Sequence, residues 1–182
     1  KIRLIDGKYH GLGVVCFIEG GAAGPKESAR IEINKDGTMS VYMGTSSVGQ
    51  GVETVFAQIA ADVLGLSIED ITVDSSDTDN VPFGTGAGAS RGAVVGGGAV
   101  IKACTRIAEK MKRIAAHMLE AHPEDVMLRD GKAFVHGAPG LSVTIGKIAE
   151  TAYMIGLADM PKDESIGLDA LEFYDPPSSS YA

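Results

Sequence analysis

The chain has 182 residues and a mass of 18.8 kDa, within the usual range of one domain. Its 45% hydrophobic content is enough to fill a core, which excludes wholesale disorder. Lys plus Arg number 16 and Asp plus Glu 24, so the net charge is -8 and the isoelectric point lies near 4.9, a poor match to nucleic acid; the longest apolar run, Val14 to Ile18, is far short of the roughly 20 residues of a membrane span.

In chain order, Gly11 to Ile18 is rich in Val and Ile and is closed by Gly20-Gly21, which predicts a buried strand. A Gly/Ala/Pro loop runs to Ser28. Residues 29–34 then alternate, with Ile31 and Ile33 on one face. Lys35-Asp36-Gly37 marks a turn, and residues 38–43 alternate again through Met39, Val41 and Met43, so a hairpin is predicted. Val52, Val55, Phe56, Ile59 and Val63 fall at helical spacing, with Gly65 where a C-cap belongs. Ile71 to Asp74 reads as a short strand before a polar loop.

A glycine-dense stretch from Gly84 to Gly98 feeds a long helix whose stripe is Val100, Cys104, Ile107, Met111, Ile114 and Met118. Lys102, Arg106, Lys110, Lys112 and Arg113 decorate its other sides and read as a solvated face. Asp130-Gly131 predicts a second hairpin. Ser142 is the expected cap of a third helix, with Ile145, Ile148, Ala149 and Ala152 as its stripe. From Gly156 onward the pattern fades. Cys16 and Cys104 sit among apolar neighbours and are expected to be buried thiols of a reducing, cytoplasmic protein. The element order predicts an α+β fold, a two-layer domain with a mixed, partly antiparallel sheet covered by helices, spanning 1–182 as a single domain.

Two glycine segments carry candidate chemistry. Gly49-Gln50-Gly51 precedes a helix, where bare N–H groups and the helix dipole favour a polar or anionic ligand; a turn with only a backbone role is the competing reading. Gly84 to Gly92, with Ser90 and Arg91, has the same physics, and a flexible loop is its alternative. Gly96-Gly97-Gly98 reads more simply as close helix-to-sheet packing. Neither GxGxxG nor GxxxxGK[ST] is present, which excludes an ordinary Rossmann or P-loop site. Asp74, Asp77 and Asp79 lack calcium-loop spacing, and the four histidines are scattered without a nucleophile partner.

The run Gly44-Thr45-Ser46-Ser47-Val48-Gly49-Gln50-Gly51-Val52-Glu53-Thr54, continued by Ala57-Gln58-Ile59, Leu64-Gly65, Glu69-Asp70, Asp77-Thr78-Asp79, Val81-Pro82 and Ala89-Ser90-Arg91, resembles the molybdenum-cofactor-binding subunit of the molybdenum hydroxylases. That family includes xanthine dehydrogenase, aldehyde oxidase and aerobic carbon monoxide dehydrogenase, and the similarity is strongest to bacterial large subunits of the carbon monoxide dehydrogenase type. The resemblance implies that Gly49, Gln50 and Gly51 contact the pterin, with Gln50 beside the metal. It implies that Ala89, Ser90, Arg91 and Gly92 hold the pterin and its phosphate. Ala87, Gly88 and Gly92 depart from the Thr, aromatic and Ser/Thr often found there, which leaves main-chain contacts at 87 and 92.

The family hydroxylates an aldehyde, purine or similar electron-poor carbon with oxygen from water. Its base is a glutamate in a Gly-Val-Gly-Glu-like motif; that motif is absent here, and the base is expected outside this chain, as is any direct metal ligand. Glu53 is expected to serve the helix dipole instead. The resemblance further implies a molybdopterin cytosine dinucleotide, iron–sulfur and flavin (FAD) partner subunits, a small-molecule substrate, and the remainder of the cofactor-binding subunit, of which this chain, starting at Lys1, is expected to be an excised or naturally split portion. A non-catalytic binding or assembly module that keeps the fold is the alternative.

Overall fold

The chain opens with an exposed hairpin, β1 (Arg3–Ile5) paired antiparallel with β2 (Lys8–His10) across Asp6-Gly7. The computed structural model describes residues 2–18, 20–75, 77–154 and 160–181. Residues 11–18 run on without strand pairing and lie exposed, Val14 and Val15 at 84% and 85%. This corrects the buried strand expected at Gly11 to Ile18: the apolar pattern is there, but no described element of this chain covers it. Cys16, expected inside, is exposed with it. Cys104 is buried as expected, and desolvation pushes its thiol up to about 12.

After the two-residue strand β3 (Gly20–Gly21), the alternating pattern of residues 27–43 builds the centre of the fold. β4 (Glu27–Ile33) and β5 (Met39–Met43) pair antiparallel, Ala29 opposite Met43 and Ile33 opposite Met39. Their period of two buries Ala29, Ile31, Ile33, Met39, Val41 and Met43 on one face and leaves Arg30, Glu32, Ser40 and Tyr42 half-buried on the other. The Asp36 carboxylate accepts hydrogen bonds from the Thr38 hydroxyl and amide, which hold its pKa below the usual range and fix the turn.

α1 (Val52–Leu64) lays Phe56, Ala60 and Leu64 on the apolar face and ends at Gly65 in the left-handed conformation, as predicted. Beyond a 3-10 turn at Ile68–Asp70, β6 (Ile71–Asp74) joins β5 in parallel, with Val41 opposite Val73. Parallel neighbours need a crossover, and α1 provides it.

α2 (Gly97–Met118) emerges from a π-helical turn, Gly92–Gly96, and covers the same sheet face with the predicted stripe. Its glycines permit close packing. A Cβ on Gly96 would lie 2.9 Å from Phe56 Cζ, one on Gly97 2.9 Å from Ile59 Cδ1, and Gly98 meets the Tyr174 ring. Two of these three glycines therefore serve helix-on-helix packing rather than the expected helix-on-sheet packing.

β7 (Val126–Arg129) and β8 (Lys132–Val135) form the second predicted hairpin, extended antiparallel by β9 (Ala138–Thr144). α3 (Ile145–Tyr153) is capped by Thr144, whose Oγ1 accepts from the Lys147 amide at 3.2 Å. Ser142, the expected cap, lies in β9 because the strand continues two residues further. β10 (Asp169–Tyr174) pairs with the outer side of β4 and gives the sheet order β10-β4-β5-β6; β11 (Ser180–Tyr181) pairs with β3.

The fading pattern after Gly156 concealed β10; Gly156 itself lies outside the described residues. The basic residues of α2 do more than face solvent. Arg106 Nη1 lies 2.8 Å from Glu172 Oε1, Arg113 pairs with Glu164, and Lys110 donates to Ser165 Oγ, tying residues 164–173 to the helix. Such exposed pairs each contribute only about 0–1 kcal/mol, so burial of the α2 stripe holds the layer together. The result is the expected two-layer α+β architecture, with a mixed sheet and α1 and α2 on one face.

Candidate functional site

β5 and β6 are parallel neighbours, so the chain leaves both at the same end of the sheet. Residues 44–51 connect β5 to α1, and residues 75–96 connect β6 to α2. Ligands of parallel sheets bind in the crevice beyond such carboxyl ends. The two connections cross at a pair of glycines. A Cβ on Gly44 would fall on the Cα of Gly84 and come 2.7 Å from Glu27 Oε1, so only bare backbone fits.

Beside the crossing lies a cleft of about 460 Å³, lined by Val48, Gln50, Val52 and Val55 from one segment and residues 87–93 from the other. The structure thus brings Gln50 together with Ala89, Ser90, Arg91 and Gly92, which lie some 40 residues away in sequence. Gly49 and Gly51 do not line the cleft. They form the turn that presents Gln50, with φ of +91° and +75° and open space where a Cβ would stand.

Two helix N-termini meet here. Gly51 is the N-cap of α1 and Arg91 that of the π turn, and neither start carries a side-chain cap. The Glu53 amide donates to its own carboxylate and the Arg91 amide donates to the Gly88 carbonyl, and the dipoles with the remaining first-turn N–H groups favour an acceptor. Ala89 and Ser90 are both left-handed, with φ of +45° and +51°. For non-glycine residues this costs of order 1–3 kcal/mol each, and such strain clusters at ligand clamps. Gln50 Oε1 accepts from the Val48 amide at 2.6 Å, which fixes the side chain in its turn. No Asp or Glu lines the cleft.

The Arg91 guanidinium, singled out for phosphate, is largely engaged by the protein. Arg91 is 5% exposed. Its Nη2 donates to the Pro25 carbonyl at 2.7 Å and lies 3.4 Å from Glu27 Oε2. Glu27 is fully buried. It also accepts from the Ser28 amide (3.1 Å), the Thr45 hydroxyl (3.2 Å), and the Thr85 amide and hydroxyl (3.3 and 3.2 Å). Ser28 Oγ in turn donates to the Phe83 carbonyl. One carboxylate therefore binds the start of β4 to both cleft-forming connections. Arg91 Nε stays buried with no hydrogen-bond partner among the described residues. Neither Glu27 nor Thr85 stands out in the sequence, and Thr45 appears there only within the family run, because a carboxylate next to a Pro-containing loop ordinarily faces water and no spacing links it to positions 45, 85 and 91.

Glu53, in the first turn of α1, does more than complement the dipole. Hydrogen bonds from Ser47 and Ser75 hold its carboxyl below the usual value and tie α1 to the end of β6. Asp77 serves a local turn, accepting from the Asp79 amide and Asn80 Nδ2. A larger open groove of about 950 Å³ lies at the other end of α1, beside residues 65–70 and the β7–β8 turn, and none of the residues expected to contact the cofactor lines it.

An α+β domain with two helix starts that lack side-chain caps, and a left-handed pair, around a cleft that no Asp or Glu lines has the arrangement that suits an anionic ligand. The comparisons with known proteins specify which kind. The model of the family described as "Molybdopterin cofactor-binding domain" matches residues 3–182. The nicotine 6-hydroxylase large subunit of Paenarthrobacter nicotinovorans is 38% identical over 159 residues, covering 81% of this chain and 20% of the relative. The carbon monoxide dehydrogenase large chain of Afipia carboxidovorans is 36% identical over 182 residues, covering 94% and 22%. The crystal structure of quinoline 2-oxidoreductase from Pseudomonas putida 86 superposes with a TM-score of 0.83 at 35% identity, covering 90% and 22%. The chain belongs to the molybdopterin cofactor-binding domains of the molybdenum hydroxylase family. It spans about a fifth of the length of these relatives.

Two outcomes follow from the site's electrostatics. Arg91→Met leaves the Glu27 charge buried and unpaired, and a loss of about 3–5 kcal/mol in urea unfolding is expected; a loss below about 1 kcal/mol contradicts the role of the pair. Glu53 has a folded pKa depressed below 4.5, so its contribution is present above that value and is lost as pH falls through the folded pKa. Glu53→Gln is expected to lose less stability on acidification below pH 4.5 than the parent; equal losses contradict the assignment.

Proposed function

We propose that the cleft between residues 44–51 and 87–93 holds a molybdopterin cofactor, and that the chain acts as part of a molybdenum hydroxylase. The observation that carries this reading is the meeting of two distant glycine segments on one cleft where N–H donors converge. The donor set fits the group. Open helix amides, the Ser90 hydroxyl, the Gln50 side-chain amide and the unpartnered Arg91 Nε can donate hydrogen bonds to phosphate oxygens and to pterin oxygens and nitrogens.

Gln50, presented by the Gly49 and Gly51 turn, orients the pterin, and Ala89, Ser90, Arg91 and Gly92 hold it and its phosphate. Positions 87 and 92 offer main chain only. When bound, the cofactor supplies the redox centre at which an electron-poor carbon, such as that of an aldehyde or purine, is hydroxylated with oxygen from water. The residues of this chain bind and orient; the glutamate base and the substrate-selecting walls come from polypeptide outside it.

We further assign the cytosine dinucleotide form of the pterin, and iron–sulfur and FAD subunits as partners, on the resemblance to bacterial large chains. Relatives named as a large chain, a large subunit and a complex subunit gamma support a multi-subunit assembly. Both cysteines are free thiols, which fits a reducing cytoplasm, and no helix among the described residues is long and apolar enough to cross a membrane. The test is Gln50→Ala in the intact assembly. Reduced molybdenum and pterin content per protein is expected; unchanged content and rate contradict the role of Gln50.

A further inference from the structure

The segment at 11–18 stands apart from the rest of the chain. Leu12, Val14, Val15, Phe17 and Ile18 are 70–85% exposed in one uncharged stretch. Monomeric proteins rarely leave so much contiguous apolar surface in water. As a strand, the segment would be apolar on both faces by alternation: Leu12, Val14, Cys16 and Ile18 on one side, Val15 and Phe17 on the other. That is the pattern of a strand buried on both faces, not of an edge facing solvent. Its backbone N–H and C=O groups lack strand partners here, whereas interior strands are paired on both sides.

The segment is also coupled to the cleft. It leads into β3 and the loop after it, where the Ala22 amide donates to the Ser90 carbonyl at 3.4 Å and the Pro25 carbonyl receives Arg91 Nη2. Gly24 leaves room for that guanidinium, since a Cβ would lie 2.8 Å from Nη1.

We propose that residues 11–18 form an interior strand of a sheet completed by the polypeptide that makes up the larger part of the cofactor-binding subunit in the relatives. This rests on the reading of the chain as one part of that subunit. The occupant follows from length. The relatives carry about five times as much chain, and an uncharged strand that is apolar on both faces needs a sheet plus covering layers, more than one second copy of this short segment offers. Docking then seats the loop that carries the wall of the cleft.

The test is hydrogen exchange on the native, cofactor-loaded assembly that contains this chain, read with its molybdenum and pterin content. Amides of residues 12–18 at least ~100-fold slower than coil are expected, together with cross-links from this segment to the other polypeptide and protection of Cys16 from alkylation. Coil-like exchange at 12–18 in an assembly that holds its cofactor overturns the docking proposal while leaving the cofactor reading intact. Protection accompanied by cross-links only to a second copy of this chain also overturns it. An assembly without pterin overturns the cofactor reading instead. Phe17→Asp, at a position that is 79% exposed, is expected to lower recovery of the assembly by about tenfold while β4 and β5 amides stay protected; unchanged recovery counts against the strand.

Discussion

The Glu27 carboxylate is fully buried, faces a nearly buried guanidinium, and accepts hydrogen bonds from three separate stretches of chain. A buried ion pair is weak evidence for stability, because desolvating two charges offsets most of their attraction. Its consequence here is positional. The connection after β5 reaches Glu27 through Thr45, and the connection after β6 through Thr85 and Arg91. Removing any partner leaves a buried polar group unsatisfied, so the relative placement of the two connections is close to all-or-none. The Gly44–Gly84 crossing adds a steric limit, since neither glycine has room for a methyl group.

From that constraint the chemistry of the cleft follows. Adjacent parallel strands send both connections to one end of the sheet, and each connection runs into a helix start without a side-chain cap. The chain as a whole is acidic, with a net charge of -8, which by itself repels an anionic ligand. At physiological salt such long-range repulsion is screened beyond roughly 8 Å, so the nearby amides and helix dipoles dominate the potential within the cleft. The left-handed pair Ala89-Ser90 costs backbone energy, and it lies in the wall of the cleft.

Elements with strong period were legible in the sequence. The 29–43 hairpin, α1 with its Gly65 cap, the α2 stripe and the second hairpin all lie where alternation or 3.6-residue spacing put them. The two glycine segments were legible as candidates, but their meeting was not, because it depends on the parallel pairing of β5 with β6. Gly11 to Ile18 misled because an apolar run carries no information about what covers it, and no described element of this chain does. Ser142 misled because a nearby hydroxyl, Thr144, caps equally well and sits where the strand ends. β10 hid because its six residues, Asp-Ala-Leu-Glu-Phe-Tyr, only partly alternate and follow a stretch with no pattern. Glu27 carried no signal, since its importance arises from partners 18, 58 and 64 residues away.

The most direct measurement of the account is a titration of the chain with inorganic pyrophosphate, followed by the amide resonances of the two helix starts. If the connections form one anion-binding cleft, residues 51–53 and residues 90–93 shift together, along one binding curve, and Arg91→Met removes both responses. Shifts confined to one helix start, or centred instead on the groove at residues 65–70, contradict the claim that the Glu27–Arg91 pair assembles a single site.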